Sequence, residues 1–192
     1  MEISPFYIFL FIHLASLIVG FGSVVVIDTF GLLWMLKKKK MTEVTAVADI
    51  TERLIWVGLT GLILSGSGLL TMKGYIDNLT WIKLFFVAML AINGVFLHKL
   101  NKQLKVVGNN PLPPYLFFRI GLSSTISQIG WWGAMTIGFV HRHIESYIPW
   151  PPQPFLIMGL IAFVIILVAV SGKILYLKNP SHLSSVGRAP LS

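Results

Sequence analysis

The stretch FYIFLFIHLASLIVGFGSVVVIDTFGLLWML, residues 6–36, contains one histidine and one acid and no lysine or arginine. A helix needs about 20 mostly apolar residues to cross a bilayer core. This run exceeds that length, so its outer end projects or the helix tilts. The rest of the chain follows suit: of 192 residues, 55% are hydrophobic and only 11% are charged. Soluble domains carry about a quarter charged residues. The composition therefore selects lipid as the solvent, and the length fits one polytopic domain. No small-residue cleavage site follows the first run, which is also too long for a signal-peptide core, so it reads as a retained helix.

Five segments have the length and polarity of spanning helices: about 5–36, 54–72, 80–98, 115–140 and 154–175. Pro5, Pro114 and Pro154 sit at helix starts, where a missing N–H costs little. The sequence NKQLKVVGNNPLPPY (101–115) is a turn-rich loop. The expected fold is an all-α integral membrane bundle over residues 1–178, followed by a polar, disordered tail, NPSHLSSVGRAPLS (179–192). No internal repeat is evident.

The net charge of +8 resides between the apolar runs, which points to topology signals and anionic headgroups instead of nucleic acid. Lys37 to Lys40, Arg53, Lys99, Lys102, Lys105, Arg119, Lys173, Lys178 and Arg188 fall on one side; Lys73, Lys83 and Arg142 fall on the other. This bias places the N-terminus outside and the C-terminus in the cytoplasm, with the bacterial or archaeal cytoplasmic membrane as the expected location. It also sorts the polar residues by depth. His13, Met72, Lys83, His141 and His143 lie near the outer boundary, while Asp28, Arg53, Asn93, His98 and Arg119 lie toward the inner one.

At about 100° per residue, His13, Ser16, Gly20 and Asp28 share one broad face of the first segment. Gly58, Gly61, Ser65, Gly68 and Met72 form a stripe on the second, and Ser123, Ser127, Gly130, Ala134, Gly138 and His141 form one on the fourth. Small residues serve close helix packing in membranes. They also leave room for a flat cofactor with a histidine at the end of the stripe. Imidazole is a good ligand for haem iron, so His13 and His141 are the candidate axial pair for haem b near the outer side. His143 points roughly 160° away from His141 on a helix. It reads with Arg142 and Glu145 as a polar lip beside Tyr147 and Trp150. A copper or zinc site built from His13, His141, His143, Glu145 and Met72 is the alternative, since imidazole and thioether suit copper.

Asp28 is costly if left alone in a bilayer. Arg53 or Arg119 is its expected partner, with Asn93 adding hydrogen bonds; the alternative is a proton path or a site for haem propionates. Lys83 has the position of a snorkelling lysine, or of a contact to a cofactor carboxylate. His98 reads as a solvated boundary residue, and His182 lies in the tail.

His13 with Gly20 to Gly22, and Trp81, Lys83, Leu84 and His98 in the third segment, resemble stretches of the HemJ and CopD-like group of small bacterial multi-helix membrane proteins. In the HemJ branch the resemblance implies haem b binding and oxidation of protoporphyrinogen, with Lys83 and His98 joining the cofactor site. In the CopD-like branch it implies copper handling. The match covers about half the chain, and the HRH ending of the fourth segment departs from both patterns.

Hydrolytic chemistry finds no support: there is no GxSxG, no HExxH and no pair of carboxylates at a shared depth, and no nucleotide-binding loop appears. With no cysteine in the chain, disulfides, thiolate metal sites and iron–sulfur ligation are excluded. The leading expectation is a b-type cytochrome-like protein or a haem-dependent oxidoreductase subunit. Its competitors are a copper- or zinc-handling protein or transporter, and a non-catalytic subunit that associates with other membrane subunits or with itself. The catalytic residues, substrate and redox partner are unknown from the sequence.

Overall fold

The computed structural model describes residues 4–143 and 153–178, with side chains described for 4–139 and 153–175. Five helices account for nearly all of the described residues: α1 (Pro5–Met35), α2 (Met41–Lys73), α3 (Asn78–Val107), α4 (Pro114–His143) and α5 (Pro154–Lys178). Four of them, α1, α2, α3 and α5, are long and apolar enough to cross a membrane. The expectation of five such helices thus holds for four. Arg119, Ser123, Ser124, Ser127 and Gln128 lower the hydropathy of α4. Neighbours on both sides shelter it: Trp131 is 2% exposed, and α3 and α5 pack along it.

Two helices outrun their apolar segments. α2 begins at Met41 instead of near 54, and α3 continues to Val107 instead of ending near 98. Charged residues in these extensions hid them from a hydropathy reading, yet they are ordinary amphipathic helix. Their apolar faces meet through Met41, Val44, Leu100 and Leu104. Polar bonds flank the seam: Lys105 Nζ donates to Asp49 (2.6 Å), Asn101 Nδ2 donates to the same carboxylate (2.9 Å), and His98 Nδ1 meets Glu52 (2.5 Å). At the start of α2, Glu43 accepts from the Lys40 N–H at 2.8 Å, occupying one donor that a helix N-terminus leaves open. At the opposite end Gly74 adopts φ 78° and closes α2. Asp77 then caps α3 by accepting from Thr80 N–H at 2.7 Å.

α1 packs mainly on α2, and α3 mainly on α4. The first pairing brings two backbones close together, because Gly20 faces Gly58. A Cβ added at Gly58 would lie 2.5 Å from the Gly20 backbone. The two hairpins join over Val24, Leu59, Leu62, Leu90 and Trp131, with Phe21 against the rings of Trp131 and Trp132. α5 lies on the outside of α3 and α4, where Ile157, Ile161 and Ile165 cover Phe86 and Met89. The outward faces carry large exposed apolar side chains such as Phe11, Ile18, Val57, Phe163 and Ile166. Exposed apolar surface on this scale needs a partner solvent. A lipid bilayer supplies it.

Candidate functional site

His13 projects from α1 onto α2, where its Nδ1 lies 3.0 Å from Ser65 Oγ. Ser65 is buried, and its hydroxyl donates back to the Gly61 carbonyl at 2.6 Å. A serine has a single O–H proton. With that proton committed to Gly61, Ser65 accepts from His13, so Nδ1 carries the hydrogen. In that tautomer Nε2 carries the lone pair. Metal-binding histidines are commonly oriented this way, one ring nitrogen donating to the protein and the other facing the metal.

Two further elements reach this end of the bundle. Lys83, near the start of α3, is part-buried and within electrostatic reach of His13. Its Nζ comes up beside Gly138 of α4, 3.4 Å from where a Cβ on that glycine would stand. Among the described residues no acid pairs with Lys83. α4 then continues to His143. The side chains of His141, His143 and Glu145, expected as ligands or lip, lie outside the described residues.

The stripes of small residues have a different role from the one a flat cofactor would need. Gly58 receives the Gly20 backbone, Gly61 receives Ser16, and Gly68 receives the ring of Phe9. On α4, Gly130 is filled by Leu90 and Met89, and Gly133 by Phe86. Helix packing takes up this room, as small residues allow in membranes. A flat group therefore finds no room between α1 and α2 along these stripes.

Met72 lies seven residues beyond Ser65, about 10 Å along α2 at 1.5 Å per residue, and is largely exposed. Among the described residues no three His, Cys, Asp or Glu side chains converge as a metal site. His98 is fifteen residues from Lys83, about 22 Å along the same helix, and pairs with Glu52. The structure therefore does not bring Lys83 and His98 into one site, although the family resemblance groups them.

The other polar layer also differs from expectation. Asp28 does not pair with Arg53 or Arg119. Ser124 Oγ donates to its Oδ1 at 3.0 Å, and the Gln128 amide donates to Oδ2. Trp132 Nε1 donates to Gln128 at 3.0 Å. Arg119 instead turns outward to Gln103 (2.8 Å) and stacks over Tyr115. Asn93 donates to the Ser123 carbonyl at 2.8 Å, tying α3 to α4. Depth alone suggested charge pairing; rotation about the helix axes decided the partners. Ser124 and Gln128 were legible as an i, i+4 polar pair on α4, which is where a carboxylate partner was to be sought.

The chain matches no protein-family model, no characterised protein and no solved structure.

Proposed function

We propose that this chain is a membrane b-type cytochrome-like protein, or a haem-dependent oxidoreductase subunit. In this reading His13, through Nε2, and His141 on α4 would hold the haem iron. The observation that carries it is the contact of His13 Nδ1 with a Ser65 hydroxyl that is turned to the Gly61 carbonyl, an arrangement that favours the tautomer with Nε2 free to ligate. An imidazole held there has few other uses in an apolar setting, because polar side chains at membrane depth are expensive to keep. The donor set fits haem b: neutral imidazole for iron, and Lys83 as a cation for a propionate. Bound haem would supply one-electron redox chemistry. The residues of the chain itself fix the ring of His13 through Ser65, place a positive charge beside it, and exclude water behind it through the Gly61, Ser65 and Gly68 packing against α1. Lys83 and His13 also belong to the stretches that resemble the HemJ and CopD-like group.

The proposal includes α4 as a fifth span, since it runs between α3 and α5 and packs on both. The lysine and arginine bias then sets the N-terminus outside and the C-terminus inside, in a bacterial or archaeal cytoplasmic membrane. The test is an absorption spectrum of the protein purified from haem-replete cells, oxidised and reduced. A Soret band that is lost in His13→Ala is the expected result. A colourless preparation from such cells would sink the reading.

A further inference from the structure

A cavity of about 410 Å³ opens at the other end of the bundle from His13, between the α1–α2 turn and the α3–α4 turn. Trp34, Lys37, Lys39, Lys40, Asn109 and Asn110 line it, and no acid does. The lysines are not a loose run. Lys37 has φ 59° and its N–H bonds to the Trp34 carbonyl, while the Lys38 N–H bonds to Leu33, so the turn is ordered. Glu43 is spent on Lys39 Nζ and the Lys40 N–H, both at 2.8 Å. Among the described residues, neither Lys37 nor Lys40 forms an ion pair, although the Glu43 carboxylate is close enough to Lys40 to feel its charge.

The amide of Asn109 is also set. Its Oδ1 accepts from both Thr42 N–H and Thr42 Oγ1, each at 3.3 Å. Nδ2 is left as the group with hydrogens to give. The start of α2 forms part of the wall and adds the positive end of a helix dipole. The cavity therefore presents ammonium and amide donors, with the Trp34 indole as its apolar side. Met35 and Leu36, between the lining residues Trp34 and Lys37 in the chain, are exposed and apolar, which suits an acyl chain beside a headgroup.

We propose that this cavity binds a phosphate group, recognised by Lys37, Lys40 and Asn109. The same chemistry serves an anionic phospholipid headgroup and free phosphate, and the experiment separates them. The full chain, purified in detergent, is titrated by native mass spectrometry with dioleoylphosphatidylglycerol, with dioleoylphosphatidylcholine and with inorganic phosphate. Preference for phosphatidylglycerol over phosphatidylcholine is expected. Losing two lysines at an anionic headgroup weakens binding about thirty-fold, so Lys37→Gln with Lys40→Gln should show a loss of that order. Lys37→Arg with Lys40→Arg should keep the preference and shows that the turn still folds. Lys99→Gln with Lys102→Gln, an equal charge change away from the cavity, should bind like the wild type. Binding of inorganic phosphate alone, lost in the same glutamine pair, supports the site with free phosphate as its ligand. The site is refuted if neither ligand binds, if the glutamine pair at 37 and 40 binds normally, or if the pair at 99 and 102 loses as much. None of these readings depends on haem.

Discussion

Gly58→Ala is the sharpest test of the packing that holds His13 in place. The added methyl would sit 2.5 Å from the Gly20 Cα and nitrogen, and 2.7 Å from the Ser16 carbonyl oxygen. All three are backbone atoms, so no side chain can swing aside. Comfortable carbon contacts lie near 3.5–4.0 Å, and α1 and α2 must separate by about 1 Å. Overpacking of this kind costs about 1–3 kcal/mol. The same separation stretches the His13–Ser65 bond from 3.0 Å to about 4 Å, beyond hydrogen-bonding range. Losing it adds about 0.6 kcal/mol, the average for such bonds between membrane helices. The assay is reversible unfolding in mixed detergent micelles, with Gly22→Ala as the control. Gly22 lies on the same helix as Gly20 and has nothing within 4 Å of an added Cβ, so it should be neutral. If Gly58→Ala unfolds at the same denaturant concentration as the wild type, the close α1–α2 crossing is wrong.

Ser65→Ala removes the acceptor of His13 Nδ1–H and should cost well under 1 kcal/mol of stability. On the haem reading it also shifts the reduced-minus-oxidised spectrum or midpoint potential, and an unchanged spectrum and potential would detach Ser65 from the cofactor. Trp131→Ala empties the contact between the two hairpins, where the indole is 2% exposed; the expected loss is about 3–5 kcal/mol, read by the same unfolding assay. Asp28→Ala leaves Ser124 and Gln128 facing each other without their shared acceptor, at a cost of about 1–3 kcal/mol. Arg119→Gln should be nearly silent by comparison, because Arg119 bonds to Gln103 and not to Asp28. A stability loss for Arg119→Gln equal to that of Asp28→Ala would restore the ion pair that depth suggested.

Much of the helix layout was legible because apolar length is a one-dimensional property. Pro5, Pro114 and Pro154 marked helix starts to within a residue of those seen. The misplaced boundaries, Met41 and Val107, lie where charged residues continue a helix beyond its apolar stretch. Hydropathy detects what lipid requires of a helix, and these turns are held by a neighbouring helix instead. Of the candidate site, His13 and Lys83 were picked by residue type, and the two lie within electrostatic reach of one another. Ser65 was placed on the correct face but read as a spacer. Its bond to His13 depends on how deeply α1 sinks into α2, which a helical projection of one chain segment does not contain.

Residue chemistry along the chain therefore determined that the protein is helical and apolar enough for a bilayer, and which few polar groups its apolar helices carry. Helix rotation and register decided what those groups do. A turn of about 100° per residue separates Asp28 facing Arg119 from Asp28 facing Ser124 and Gln128. The approach of Gly20 to Gly58 turned the small-residue stripes into packing surfaces. Pairing is a contest among all five helices at once, settled by shape and hydrogen bonding between segments far apart in sequence, and only the assembled bundle holds that information.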